Sequence, residues 1–115
     1  PINDVNVAST LHFYAGTHKG SLREKARVAM KAGIPLFVTE GGTVEADGDG
    51  AVDHGETDTW MQFLRDNNIS HANWALNDKV EGASALNPDV SASGGWSDSD
   101  LTESGRKVKE IIQNW

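Results

Sequence analysis

The chain of 115 residues suits one domain, 1-115, and its lack of cysteine excludes disulfides and thiol chemistry. With 17 acidic against 10 basic residues its formal charge is -7, which disfavours nucleic acid and anionic membrane and suits a neutral or cationic partner. No apolar run is long enough for a transmembrane helix, and the start at Pro1-Ile2-Asn3 lacks the basic region and apolar core of a signal peptide, so neither is expected.

Pro1–Thr10 reads as a polar leading segment with alternating valines. Leu11–Ala15 (Leu-His-Phe-Tyr-Ala) reads as the core of a first strand, with a possible start near Val5 and a stop at Gly16. After the loop Thr17–Gly20, Ser21 is an N-cap candidate, and Glu24 three residues on completes a capping box. Leu22–Ala32 is then a helix with Leu22, Ala26, Ala29 and Met30 on one face, a C-cap at Gly33 and a stop at Pro35. Leu36–Glu40 is the second strand. Gly41–Gly55 is a loop rich in Gly and Asp. A second helix begins at Thr57, carries Trp60, Met61, Phe63 and Leu64, and ends near Asn67-Asn68. Ile69–Leu76 is the third strand. Asn77–Asp100 is a long loop, and loops of that length are usually functional or mobile. Ser104–Gln113 is the last helix, with Val108, Ile111 and Ile112 facing inward.

Alternating strands and helices predict an α/β fold with a parallel sheet and right-handed crossovers. Its centre is Ile34–Thr43, an apolar run ending in Glu40 and a glycine pair. Such a run predicts a strand buried on both faces, and function in such sheets gathers at the carboxyl ends of strands. Three strands leave two open edges and poorly covered faces, so self-association or a missing partner segment is expected. The most economical assembly is a symmetric homodimer.

The three predicted strand ends carry chemistry. The first has His12 and Tyr14, two apart and so on one face. The second has Glu40. The third has Asn73 and Trp74, followed by Asp78, Lys79 and Glu81. A carboxylate, a histidine, a tyrosine and a tryptophan at one sheet edge suit acid–base or nucleophilic work on a sugar. The four tryptophans of the chain suit stacking on sugar faces, or core packing. Likewise His12 and Tyr14 can be read as core residues with no chemical role.

Three stretches, Thr10-Leu-His-Phe-Tyr-Ala-Gly-Thr-His18, Gly33-Ile-Pro-Leu-Phe-Val-Thr-Glu-Gly-Gly-Thr43 and Asn73-Trp-Ala-Leu-Asn-Asp-Lys-Val-Glu81, resemble the last three βα units of glycoside hydrolase family 5 endoglucanases. Gly94-Gly-Trp96 and Leu101-Thr-Glu-Ser-Gly105 resemble their C-terminal end, so the likeness spans nearly the whole chain. The resemblance implies half of a (β/α)8 TIM barrel, and a secreted enzyme that cleaves β-1,4-glucan with retention and needs no cofactor. It implies that Glu40 is the nucleophile, that Tyr14 hydrogen-bonds it, and that His12 borders the subsite where the bond breaks. It also implies that Trp74 is the platform under the sugar and that Lys79 and Glu81 contact the neighbouring sugar. Two departures stand out. Gly41 occupies the place of a usual tryptophan, and nothing in the chain matches the first five βα units, which carry the general acid/base glutamate. Glu45, Glu56 and Glu81 are the glutamates nearest in sequence to the candidate site, and none holds a matching position. The alternative is therefore a catalytically incomplete fragment that binds glucan.

Residues 45–56 also nearly fit a calcium loop, with Glu45, Asp47, Asp49, Asp53 and Glu56 at the acidic positions and Gly50 at the turn. The four histidines show no metal-ligand spacing. Asn68-Ile69-Ser70 fits a glycosylation acceptor but reads equally as turn chemistry. The glycines lack the spacing of a phosphate-cradling loop.

Overall fold

The computed structural model describes residues 4–115; residues 1–3 of the leading segment lie outside the described residues. In chain order the elements are β1 (Ser9–Tyr14), α1 (Gly20–Lys31), β2 (Leu36–Gly42), α2 (His54–Asp66), β3 (His71–Asn73) and α3 (Glu103–Gln113), with a one-turn 3-10 helix at Asp98–Asp100. The strands form one parallel sheet in the order β1-β2-β3. This is the α/β fold with a parallel sheet expected from the alternation, and its three βα units fit the half-barrel that the resemblance implies.

The core lies between the sheet and the helices. Leu11, Phe13 and Val38 project from the strands onto Ala26 of α1 and Trp60, Phe63 and Leu64 of α2, with Ile69 beside them. Trp60 anchors this layer. Its ring stacks on Phe13 at 4.2 Å, and its indole N–H donates to the His18 carbonyl at 2.7 Å. α3 closes the same side through Ile111 and Val108, which line a small apolar pocket with Phe13, Met61 and His71. The opposite sheet face is open: Thr10, His12, Thr39 and Ala72 are exposed, and Phe37 retains 40% of its surface. The expectation of a strand buried on both faces is thus met on one face, because every helix packs on that one.

Several boundaries differ from the sequence reading. α1 starts at Gly20 behind Lys19, which makes no side-chain cap, so the Ser21–Glu24 capping box is not formed. Tertiary contacts set that start: the Lys19 ammonium donates to the Ala15 carbonyl and to Asp53, at 2.6 and 2.5 Å. α2 starts at His54, three residues early, because Asp53 caps it by accepting from the Glu56 N–H at 3.0 Å. β3 is only three residues long. Beyond Trp74 the chain leaves β2 and pairs with its own return segment, Ala75 with Ala83 and Ala85, and Asn77 with Leu86. The segment 77–100 is correspondingly anchored. Ala83–Leu86 are buried, Leu86 bridges Leu101, and Thr102 donates to the Ser84 carbonyl. On α3, Ile111 faces inward but Ile112 is 66% exposed, so the predicted apolar face is narrower than expected. Among the described residues no helix is long and apolar enough to cross a membrane.

Candidate active site

The register places Glu40. Thr10 pairs with Phe37 and His12 with Glu40, so two steps on β1 match three on β2. The register to β3 slips in the same region, between Val38 and Gly41. β2 therefore carries an extra residue, a β-bulge. In a regular strand Phe37 and Glu40 would point to opposite faces. The bulge brings Thr39 and Glu40 together on the face of His12, and returns Gly41 to the helix side opposite Phe13.

At that face the Tyr14 hydroxyl donates to Glu40 Oε1 at 2.7 Å. His12 Nδ1 lies 3.9 Å from Glu40 Oε2, and its Nε2 is 2.9 Å from Thr39 Oγ1. The Glu40 side chain is 28% exposed. Tyr14 is buried against Val44 and Ala83. Its burial, its hydrogen bond to Glu40, and the charges of Glu40 and Glu81 all push the phenol above the ordinary tyrosine range. Tyr14 is therefore a protonated donor throughout the physiological range.

Trp74 follows β3 directly. Its N–H donates to the Gly41 carbonyl at 2.8 Å, which fixes the residue to β2, and Trp74 is 48% exposed. Lys79 and Glu81 form an ion pair at 2.5 Å in which Glu81 is the more buried partner. The hydrogen bond to Glu81 holds the Lys79 ammonium above its ordinary range. Glu81 acts electrostatically on Tyr14, so the structure brings Glu40, Tyr14, His12 and Glu81 into one neighbourhood. The Tyr14–Glu40 and Trp74–Gly41 hydrogen bonds join β1, β2 and the segment after β3.

The calcium-loop candidates do not converge. Glu45 accepts from the Thr17 hydroxyl at 2.5 Å, Asp47 from the Asp49 N–H at 3.0 Å, and Asp49 from the Gly82 N–H at 2.8 Å. Asp53 caps α2 and pairs with Lys19, and Glu56 pairs with Arg23. Backbone N–H groups of Gly50 and Gly82 hold the Asp49 carboxyl below its ordinary range. Among the described residues no three acidic or histidine side chains are disposed around one ion. Each of these carboxylates makes a hydrogen bond in a turn, a cap or an ion pair, and the loop clamps residues 48–50 onto 81–83.

Three residues of the site were not singled out from the sequence. Thr39 contacts His12 from the face that strand alternation gives it, while the bulge that sets Glu40 beside it leaves no mark in the residue types. His18 accepts the Tyr14 N–H on Nδ1 at 2.8 Å. Gly42 pairs with Tyr14 across the strands. The glycine pair itself was the available signal for Gly42.

Comparison with known proteins adds a family. The model of the cellulases, glycosyl hydrolase family 5, matches residues 1–80. The chain is 64% identical over 115 residues to endoglucanase Z of Dickeya dadantii and covers 25% of that protein. It is 50% identical over 112 residues to an endoglucanase of Clostridium saccharobutylicum, with 97% of this chain and 25% of that protein aligned. Among solved structures, one from Cytophaga hutchinsonii superposes with a TM-score of 0.95 at 48% identity, covering 99% of this chain and 38% of that one. The catalytic domain of a Thermobifida fusca endoglucanase bound to cellotetraose superposes with a TM-score of 0.91 at 32% identity, covering 98% of this chain and 37% of that one. The chain thus spans about a quarter of the length of the curated relatives it matches.

Proposed function

From the premise that the chain belongs to the cellulase family, glycosyl hydrolase family 5, we propose that residues 1-115 are one catalytic-domain segment of an endo-β-1,4-glucanase, with Glu40 as the nucleophile of a retaining hydrolysis. The observation that carries this reading is the 2.7 Å donation from Tyr14 to Glu40 Oε1, which leaves Oε2, 3.9 Å from His12 Nδ1, as the oxygen not held by the phenol. Oε2 attacks the anomeric carbon as the glycosidic C–O bond breaks and a proton passes to the leaving oxygen. Water then hydrolyses the glycosyl ester and releases Glu40. Tyr14 holds Oε1 through both steps. His12, beside Oε2, and Trp74, exposed at the end of β3, position the sugar. Lys79 and Glu81 bind the neighbouring one.

A retaining mechanism needs two carboxyls roughly 5–5.5 Å apart. Among the described residues the direct partners of Glu40 are a phenol and an imidazole. This favours a second reading for the chain alone, a glucan-binding segment whose acid/base partner is supplied from outside these residues. A polymeric glucan cannot enter a cell, so we assign the site to a secreted protein. The open sheet face and edges support association with a second copy.

Reducing-sugar release from a soluble cellulose derivative, compared between the chain and Glu40→Gln, tests the first reading. Loss of turnover in the variant is expected, and turnover at the parental rate would rule Glu40 out as nucleophile. Binding of cello-oligosaccharide by titration, without turnover in either protein, selects the second.

A further inference from the structure

Tyr14 and Gly42 are partners across β1 and β2, so the phenol ring and the glycine share a face. A Cβ at Gly42 would stand 2.4 Å from Tyr14 Cδ1 and 2.5 Å from Cε1. Unbonded carbons settle at about 3.5–4.0 Å. The ring therefore fills the space that any side chain at this position would take. Gly42 does not lie in the left-handed backbone region, so space and not conformation demands glycine there.

The ring has little room to retreat. Val44 and Ala83 pack against it, with Val52 at the margin. Its backbone is tied on both sides: the Tyr14 N–H donates to His18 Nδ1 at 2.8 Å, and the Ala15 N–H donates to the Gly42 carbonyl at 2.9 Å.

We propose that Gly42 is a positioning residue: its bare backbone is the seat on which the Tyr14 ring lies, and the seat aims the phenol oxygen at Glu40. A methyl group on the seat displaces the ring by roughly 1 Å, the gap between the built contact and ordinary van der Waals distance. A hydrogen bond of 2.7 Å stretched by that amount is lost. The inference rests on the reading of Glu40 as nucleophile for its catalytic consequence only; the contact itself, and its measurement, need no turnover.

Tyr14 is the sole tyrosine of the chain, so the tyrosine Raman doublet reports this phenol alone. At neutral pH the parent shows the doublet ratio of a strong donor to a carboxylate. Glu40→Gln supplies the reference for a phenol that has lost its charged acceptor. Gly42→Ala is expected to shift the doublet to the Glu40→Gln ratio while keeping its far-UV circular dichroism. A folded Gly42→Ala protein with the parental ratio would overturn the proposal. Should Gly42→Ala fail to fold, the Tyr14→Ala, Gly42→Ala double variant decides: recovery of folding on removal of the ring supports the seat, and no recovery overturns it. Absence of glucan hydrolysis in the parent would count against the proposed function and leave this readout unchanged.

Discussion

Tyr14 is where burial, charge and chemistry meet in single-residue terms. Its hydroxyl gives one charge-assisted hydrogen bond to Glu40 at 2.7 Å, and such bonds are worth roughly 1.5–3 kcal/mol. Tyr14→Phe keeps the ring on Gly42 and removes only that bond. Glucan turnover by an active assembly is expected to fall roughly 10- to 100-fold, with KM changed far less, as steady-state kinetics would show. The same residue sets an alkaline limit. Because its folded pKa is raised, its contribution to stability is complete below the unfolded value of about 10 and is lost as pH rises through the folded value. Thermal melts between about pH 9 and about pH 11 should therefore show a fall in Tm that Tyr14→Phe lacks. His12, Tyr14 and Glu40 were legible in the sequence because they stand at strand ends. Their mutual geometry was not, since it depends on the bulge at Val38–Gly41, and a bulge has no residue signature when both residues after it are glycine.

At the scale of elements, caps decided where the sequence reading succeeded. Asp53 and Glu56 hold the N-cap and N3 spacing of a helix start, and the same two residues fitted a calcium loop. One carboxylate pattern satisfied both templates, and only the tertiary partners, Lys19 and Arg23, separate them. At α3 the cap is Thr102, which accepts from the Gly105 N–H at 3.0 Å and donates to the buried Ser84 carbonyl. Thr102→Ala removes both bonds and is expected to cost about 1–2 kcal/mol in denaturant unfolding. β3 was overestimated because Trp-Ala-Leu continues its apolar pattern, yet after Trp74, which still bonds to Gly41, Ala75 and Asn77 pair with the return segment instead of β2. His71, on that short strand, packs edge-on against Trp115 at 4.5 Å, and burial lowers its pKa. The folded state thus resists its protonation. Stability is complete above the unfolded value of about 6.5 and falls as pH drops below it. His71→Gln should flatten the Tm profile between about pH 7.5 and about pH 5 relative to the parent; parallel profiles would mean that His71 does not titrate against the fold.

The whole molecule is a sheet clothed on one side. The apolar run Leu36–Val38 was correctly read as a strand, and its alternation puts Val38 in the core and Phe37, 40% exposed, on the open face with His12 and Thr39. An apolar run cannot say which of its two covers lies within the same stretch of chain, so the one-sided packing was beyond the sequence reading. Solved relatives run well beyond this chain, which covers 38% of the Cytophaga structure. Left to itself, the chain is expected to cover the face with a second copy. A stable contact needs about 800 Å² per partner, a modest share of the 6824 Å² that the chain exposes. The charge of -7 on each copy opposes the contact and is screened by salt. Light scattering at micromolar concentration is therefore expected to give the mass of a dimer, with the dimer fraction rising as salt is added. Phe37→Lys places an ammonium in the apolar centre of the face and should return the chain to a monomer with little change in Tm, since Phe37 lies outside the core. Association that persists in Phe37→Lys would locate the contact at the β1 and β3 edges instead, and a monomeric parent at high salt would mean that the open face stays in water.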